Sequence, residues 1–217
     1  AYLHPPPRRC EATMTESKPE TSGEVEVVPT GAKILAVVMI PTIAALNYVG
    51  GVIVELLKAP IWGDTWATML GTLISGFWVG SIGGFLYNII MAFTLWGLPN
   101  WVWGFANVVI AGITVLCVKM GWADLRKPVK LIPAFLLFGL VYPIFTTAVS
   151  IGLFGGGPLW KPLPAAVYAA TLSSTGNFYL ANYVQAISTE IPDKIISFVI
   201  SLAIASRVPR RLVLLKR

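Results

Sequence analysis

The sequence predicts an all-α membrane protein with six transmembrane helices and an external or re-entrant element before the last helix. Three observations carry that expectation. Charged residues make up only 12% of the 217-residue chain, about half the share typical of a soluble domain. From Ile34 to Val118 the only acidic or basic residues are Glu55, Lys58 and Asp64. Three charges cannot solvate a stretch that runs several times the ~20 residues of a single span. Finally, the apolar stretches are separated by turn signals, and basic residues gather in alternate connections.

The elements follow in order. Residues 1–31 form a polar, proline-rich tail with no apolar run, expected to be disordered; residues 32–217 form one transmembrane domain. The first span runs from about residue 33 to 53. The block from Asp64 to Gly97 has no charge after its first residue. It is long for one span and suits two short helices that break near Gly76–Trp78. Leu98, Pro99 and Asn100 make a turn before a fourth span over about 101–120. A polar stretch, 119–130, precedes a fifth span over about 131–154, which Gly155, Gly156, Gly157 and Pro158 end. Residues 165–188 are rich in Ser, Thr, Asn and Tyr and are expected outside or re-entrant. Asn177, Asn182 and Gln185 there would be costly against lipid but acceptable beside a cavity. The last span is expected to start near Pro192, a residue suited to a first helical turn, and to stop before Arg207.

With both termini cytoplasmic in a multi-pass plasma-membrane protein, ten basic residues fall inside: Lys33, Lys119, Arg126, Lys127, Lys130, Arg207, Arg210, Arg211, Lys216 and Arg217. Only Lys58, Lys161 and Lys194 fall outside, which obeys the positive-inside rule. That asymmetry explains the net charge of +6 without a nucleic-acid partner. One histidine, His4, and two cysteines, Cys10 and Cys117, supply neither a metal site nor a disulfide framework. There is no nucleotide-binding loop and no nucleophile with a histidine partner. No cofactor and no enzymatic activity are expected.

What remains is a set of polar and aromatic residues on the external side. Asn47 and Tyr48 lie toward the outer end of the first helix. Trp62 and Asp64 lie in the first loop, Asn88 about 13 Å deep in the third helix, and Trp103 and Asn107 at the start of the fourth. Asn177 and Tyr179 precede the last helix. Small-molecule sites combine aromatic walls with a few placed polar groups, and this set has that composition. Other roles stay open: Asp64 as a helix cap, the Trp residues as interface anchors, Asn88 or Asn107 in interhelical hydrogen bonds. The aromatic side favours a flat, water-soluble ligand. Asp64 would suit a cationic group, although one carboxylate does not choose a substrate.

The residues also carry a family resemblance. Ala59 to Leu73 (APIWGDTWATMLGTL), Gly76 to Gly84 (GFWVGSIGG) and Asn88 resemble the substrate-binding S components of energy-coupling factor (ECF) vitamin transporters. Glu190 to Phe198 (EIPDKIISF) and Val208 to Leu212 (VPRRL) are similar to that family's last helix and basic tail. Ala32 to Ala36 (AKILA) resembles its small-xxx-small motif. The resemblance implies a six-helix subunit that captures a vitamin or related micronutrient from outside. It also implies partners: a transmembrane coupling subunit, docked on Ala32 and Ala36, and two cytoplasmic ATPases. A membrane-embedded sensor module is the alternative. An autonomous secondary transporter is disfavoured by the expected lack of buried ionisable residues.

Overall fold

The computed structural model describes residues 30–209, with side chains from Ile34 onward. The expected tail therefore lies outside the described residues except for its last two positions, which belong to the first helix. The basic residues Arg210, Arg211, Lys216 and Arg217 lie outside them too. All regular structure among the described residues is helical.

Helix α1 (Thr30–Leu56) is long and almost wholly apolar. After a loop comes α2 (Trp66–Ser75), which ends at Gly76; α3 (Phe77–Met91) follows at once and continues as a π turn, Ala92–Trp96. Gly76 makes this break with φ of 92°, a backbone state that glycine adopts without steric cost. The break falls where the sequence places it, but the two helices are unequal. α2 has 10 residues, about 15 Å, with Ala67 to Ile74 buried throughout. Phe77–Trp96 has 20 residues and reaches span length.

A 3-10 segment, Leu98–Trp103, leads into α4 (Gly104–Lys119). After a polar turn the chain forms α5 (Ile132–Leu136), a π turn (Leu137–Val141) and α6 (Tyr142–Phe154) in one continuous run. Gly155, left-handed at φ of 78°, ends that run, as glycine often does at a helix C-terminus. Next come α7 (Pro162–Thr175), with Pro162 in its first turn, and α8 (Phe178–Ala205). Among the described residues, four segments are long and apolar enough to cross a membrane: Ile34–Leu56, Phe77–Trp96, Leu98–Lys119 and Pro128–Phe154.

The expected start of the last helix at Pro192 is corrected. Helix α8 starts fourteen residues earlier, where the Asn177 side chain accepts a hydrogen bond from the Leu180 N–H at 3.0 Å. That is a standard N-cap, and Gly176 separates it from α7 at φ of 65°. Pro192 thus sits inside a helix of 28 residues, about 42 Å long. The element expected over 165–188 is split between α7 and the first turns of α8, which pack on each other.

Packing explains the glycine run. The central α2 is surrounded by α1, α3, α4 and α8. A Cβ on Gly80 would strike the Thr72 hydroxyl, and one on Gly84 would meet both Thr68 and Asn107. Close backbone approach of this kind is how apolar helices pack where lipid supplies no hydrophobic drive. The main core joins Met69, Ile110, Phe138 and Phe198. The outer surface is apolar as well: Val37, Trp78, Phe93, Val129 and Ile144 are all exposed.

Candidate binding site

Three connections converge at one end of the bundle: 57–65 between α1 and α2, 97–103 between α3 and α4, and 155–161 between α6 and α7. They roof a cavity of about 120 Å³ that descends between α3, α4, α6 and α8. Counted in water-sized spheres, it has room for roughly ten. Trp62, Trp96, Trp103 and Trp160 form its aromatic walls. Trp62 and Trp160 meet edge to face at 5.5 Å, and Trp103 stacks on Phe154 at 5.7 Å.

The depth of the cavity belongs to α8. Asn182, Gln185, Thr189 and Glu190 line it with Lys194; the first three recur at helical spacing on one face. Asn182 and Gln185 also hold the roof. Asn182 Oδ1 accepts from the Gly157 N–H at 3.0 Å, and Gln185 Oε1 accepts from the Leu159 N–H at 2.9 Å. Lower down, the Lys194 ammonium pairs with Asp193 and lies 3.1 Å from Glu190 Oε2. Only 1% of Lys194 is exposed. It also sits 5.3 Å above the Tyr142 ring.

Asp193 and Lys161, the latter just ahead of α7, pin the first loop. Asp193 Oδ1 accepts from the N–H groups of Trp62 at 3.1 Å and Gly63 at 2.7 Å. Lys161 Nζ donates to the carbonyls of Ala59 at 3.1 Å and Ile61 at 2.5 Å, and stands 4.7 Å over the Trp62 ring. Its charge is answered by Glu55 at 3.8 Å, which also accepts from the Trp160 indole N–H at 2.8 Å. Burial lowers the pKa of Lys161, against the opposing pull of Glu55.

Hydrogen-bond accounting marks the cavity further. Eight buried side-chain atoms among the described residues lack a hydrogen-bond partner in the protein, and five belong to cavity-lining residues: Asp64, Thr65, Asn88, Thr147 and Glu190. Buried polar groups are nearly always paired, so these atoms are where water or a bound molecule would complete the lining. Asp64 lies in the loop just ahead of α2. Burial is the main cause that pushes its pKa up to about 6, with Asp193 adding to the rise and Lys194 opposing it.

The residues singled out in the sequence divide. Trp62, Asp64, Asn88, Trp103 and Asn107 line the cavity. Asn47, Tyr48, Asn177 and Tyr179 do not. Asn47 is fully buried between α1 and α2, donating to Thr68 Oγ1 at 2.8 Å and accepting from the Ala67 N–H at 3.0 Å. Tyr48 packs against Ala44, Tyr87 and Met91. Asn177 caps α8, and Tyr179 is 69% exposed. Ala36 packs on the cluster of Ile43, Ala67 and Val79; the side chain of Ala32 lies outside those described.

Two expectations about charge are overturned. Lys194 is not an external surface charge, and the helical body does hold buried ionisable groups: Glu190, Asp193 and Lys194 are 5%, 1% and 1% exposed. The false helix start at Pro192 caused both errors, because it put Glu190 before the helix and Asp193 and Lys194 in its first turn. Reading Asn177 as the cap would have shown a charge trio in mid-helix. Compared with protein-family models, with curated proteins and with solved structures, the chain matches none of them.

Proposed function

We propose that this chain is a membrane-embedded capture subunit for a small, water-soluble ring compound, working as the S component of an ECF-type importer. The observation that carries the reading is the cavity itself. It is walled by four tryptophans, opens among loops at one end of an apolar bundle, and concentrates buried polar atoms that the protein leaves unpaired. Sites for small molecules are built this way. In this reading α2 and α8 complete six crossings, and α7 with the first turns of α8 projects on the external side. The basic residues Lys119, Arg126, Lys127, Lys130 and Arg207 lie at the end away from the cavity, which supports a cytoplasmic side there and an external cavity mouth. Import would then need the coupling subunit and ATPases that the family resemblance implies.

The buried trio on α8 gives the autonomous secondary transporter a foothold it lacked, since ionisable groups inside a membrane bundle often serve ion coupling. The two readings separate by experiment. Mass spectrometry of the detergent-extracted protein should find a bound ring compound, and reconstituted vesicles holding this chain alone should bind that compound without accumulating it. Accumulation driven by an ion gradient in those vesicles would overturn the capture reading.

A further inference from the structure

The capture reading leaves the chemistry of the ligand open, and the charges around the cavity narrow it. Four carboxylates, Glu55, Asp64, Glu190 and Asp193, stand around two ammonium groups, Lys161 and Lys194. The pairing is uneven. Lys161 is committed to Glu55 and two loop carbonyls. Lys194 is committed first to Asp193, whose other oxygen is taken by two backbone N–H groups. Glu190 has only a share of that same ammonium, at 3.1 Å, and Asp64 has no ion pair of its own. Both line the cavity: Asp64 Oδ1 is buried without a hydrogen bond, and Glu190 Oε2 has only the ion pair that Lys194 shares with Asp193. Asn88 Oδ1, on a residue 1% exposed, is a further acceptor without a hydrogen bond, and unlike the unpaired Thr65 and Thr147 hydroxyls it can only accept.

None of these three atoms can donate while the carboxyl groups are ionised. An uncompensated carboxylate away from water is costly, and it is relieved by an opposite charge that also brings hydrogen bonds. The aromatic walls add to the preference, because the face of a tryptophan attracts a cation. An anionic ligand would meet an excess of carboxylates over ammonium groups and find both ammonium groups occupied.

We infer that the ligand is a compact ring compound carrying a delocalised positive charge with N–H donors, of the amidinium or aminopyridinium kind, whose charged edge sits between Asp64, Asn88 and Glu190. This rests on the capture reading. Its test uses three probes of one shape and different charge: benzamidinium, benzamide and benzoate. Binding to the detergent-solubilised chain is followed by tryptophan fluorescence, since four tryptophans wall the cavity.

Benzamidinium should quench saturably and bind at least tenfold more tightly than benzamide, with benzoate weaker still. Glu190→Gln and Asp64→Asn should each lower benzamidinium affinity at least fivefold while leaving benzamide nearly unchanged. Thermal melting of both variants shows that they remain folded. Equal binding of the three probes, or preference for benzoate, would overturn the cation assignment and leave a capture site standing. A cation preference that survives both substitutions would overturn the assignment to these carboxylates. Absence of saturable quenching by all three would overturn both the assignment and the capture reading on which it rests.

Discussion

Two buried polar clusters meet in this bundle, one of neutral amide and hydroxyl groups and one that includes carboxylates. In the first, Asn47 on α1 donates to the Thr68 hydroxyl at 2.8 Å, and that hydroxyl donates to Asn107 Oδ1 at 2.6 Å. Asn47 Oδ1 accepts from the Ala67 N–H, so three helices are joined by a chain of bonds. In the second, Asp64 and Asn88 each keep a buried oxygen without a hydrogen bond, and Glu190 Oε2 has only its ion pair with Lys194. Asparagine occurs in both, so the presence of a buried amide does not distinguish the clusters; completeness of hydrogen bonding does. The satisfied cluster fixes α2 against its neighbours, and the unsatisfied one bounds a cavity. Asn107 belongs to both, spending its carbonyl on Thr68 while lining the cavity.

The largest effect should come from Lys194, which holds the unsatisfied side together. Lys194→Met would leave Asp193 and Glu190 buried without their shared counter-charge, and removing one partner of a buried ion pair costs about 3–5 kcal/mol. Thermal unfolding in detergent should show a large loss, and the first loop should become more open to proteolysis because Asp193 would no longer be held in place. A melting temperature equal to that of the unaltered chain would mean the trio is not a structural pair.

Asn47 and Asn88 make the sharpest contrast. Asn47→Ala strands the Ala67 N–H and should cost about 1–3 kcal/mol of stability, with ligand affinity little changed in the protein that folds. Asn88→Ala should do the reverse. Its amide nitrogen bonds only the Gly84 carbonyl of its own helix, at 3.1 Å, so stability should hardly move. The loss of an acceptor should weaken binding about tenfold. If the two substitutions affect stability and binding alike, hydrogen-bond completeness is not what separates the clusters.

Much of the architecture was legible because apolar length and glycine breaks are local properties of the sequence. The break at Gly76, the stop at Gly155 and the turn at Leu98 could all be read from one or two residues. The start of α8 was misread because Pro192 offers a local signal as strong as the Asn177 cap, and only packing chooses between them. The cavity was half legible. Asp64, Asn88 and Asn107 stand out as polar residues in apolar surroundings, but so does Asn47, and its partner Thr68 lies across the helix interface. Glu190 and Lys194 could not be recognised while the helix was thought to begin beside them.

Asp64 yields the subtlest expectation, because stability and binding should move in opposite directions. Its carboxyl faces Lys194 and Asp193 from α8, Lys161 from the loop ahead of α7, and Tyr87 from α3. Together these surroundings raise its pKa from 3.8 to about 6, with burial the main cause. The folded protein therefore holds the proton more tightly than the unfolded chain, and the stability this contributes is present at low pH and lost as pH rises from about 4 through 6. At pH 7 the ionised group is a cost to the empty protein, so Asp64→Asn should stabilise it, by about 1–2 kcal/mol after allowance for partial exposure. The gain should vanish below pH 4, where the unaltered carboxyl is already neutral. Cation binding should follow the other sign: strong above pH 6, weakening below it as Asp64 takes up its proton, and weak at every pH in Asp64→Asn. Melting curves and benzamidinium titrations across pH 4–8 on both proteins measure the two trends together. A variant that melts lower than the unaltered chain at pH 7 would show that Asp64 serves the fold, as a cap on α2, and that its charge is not held in reserve for a ligand.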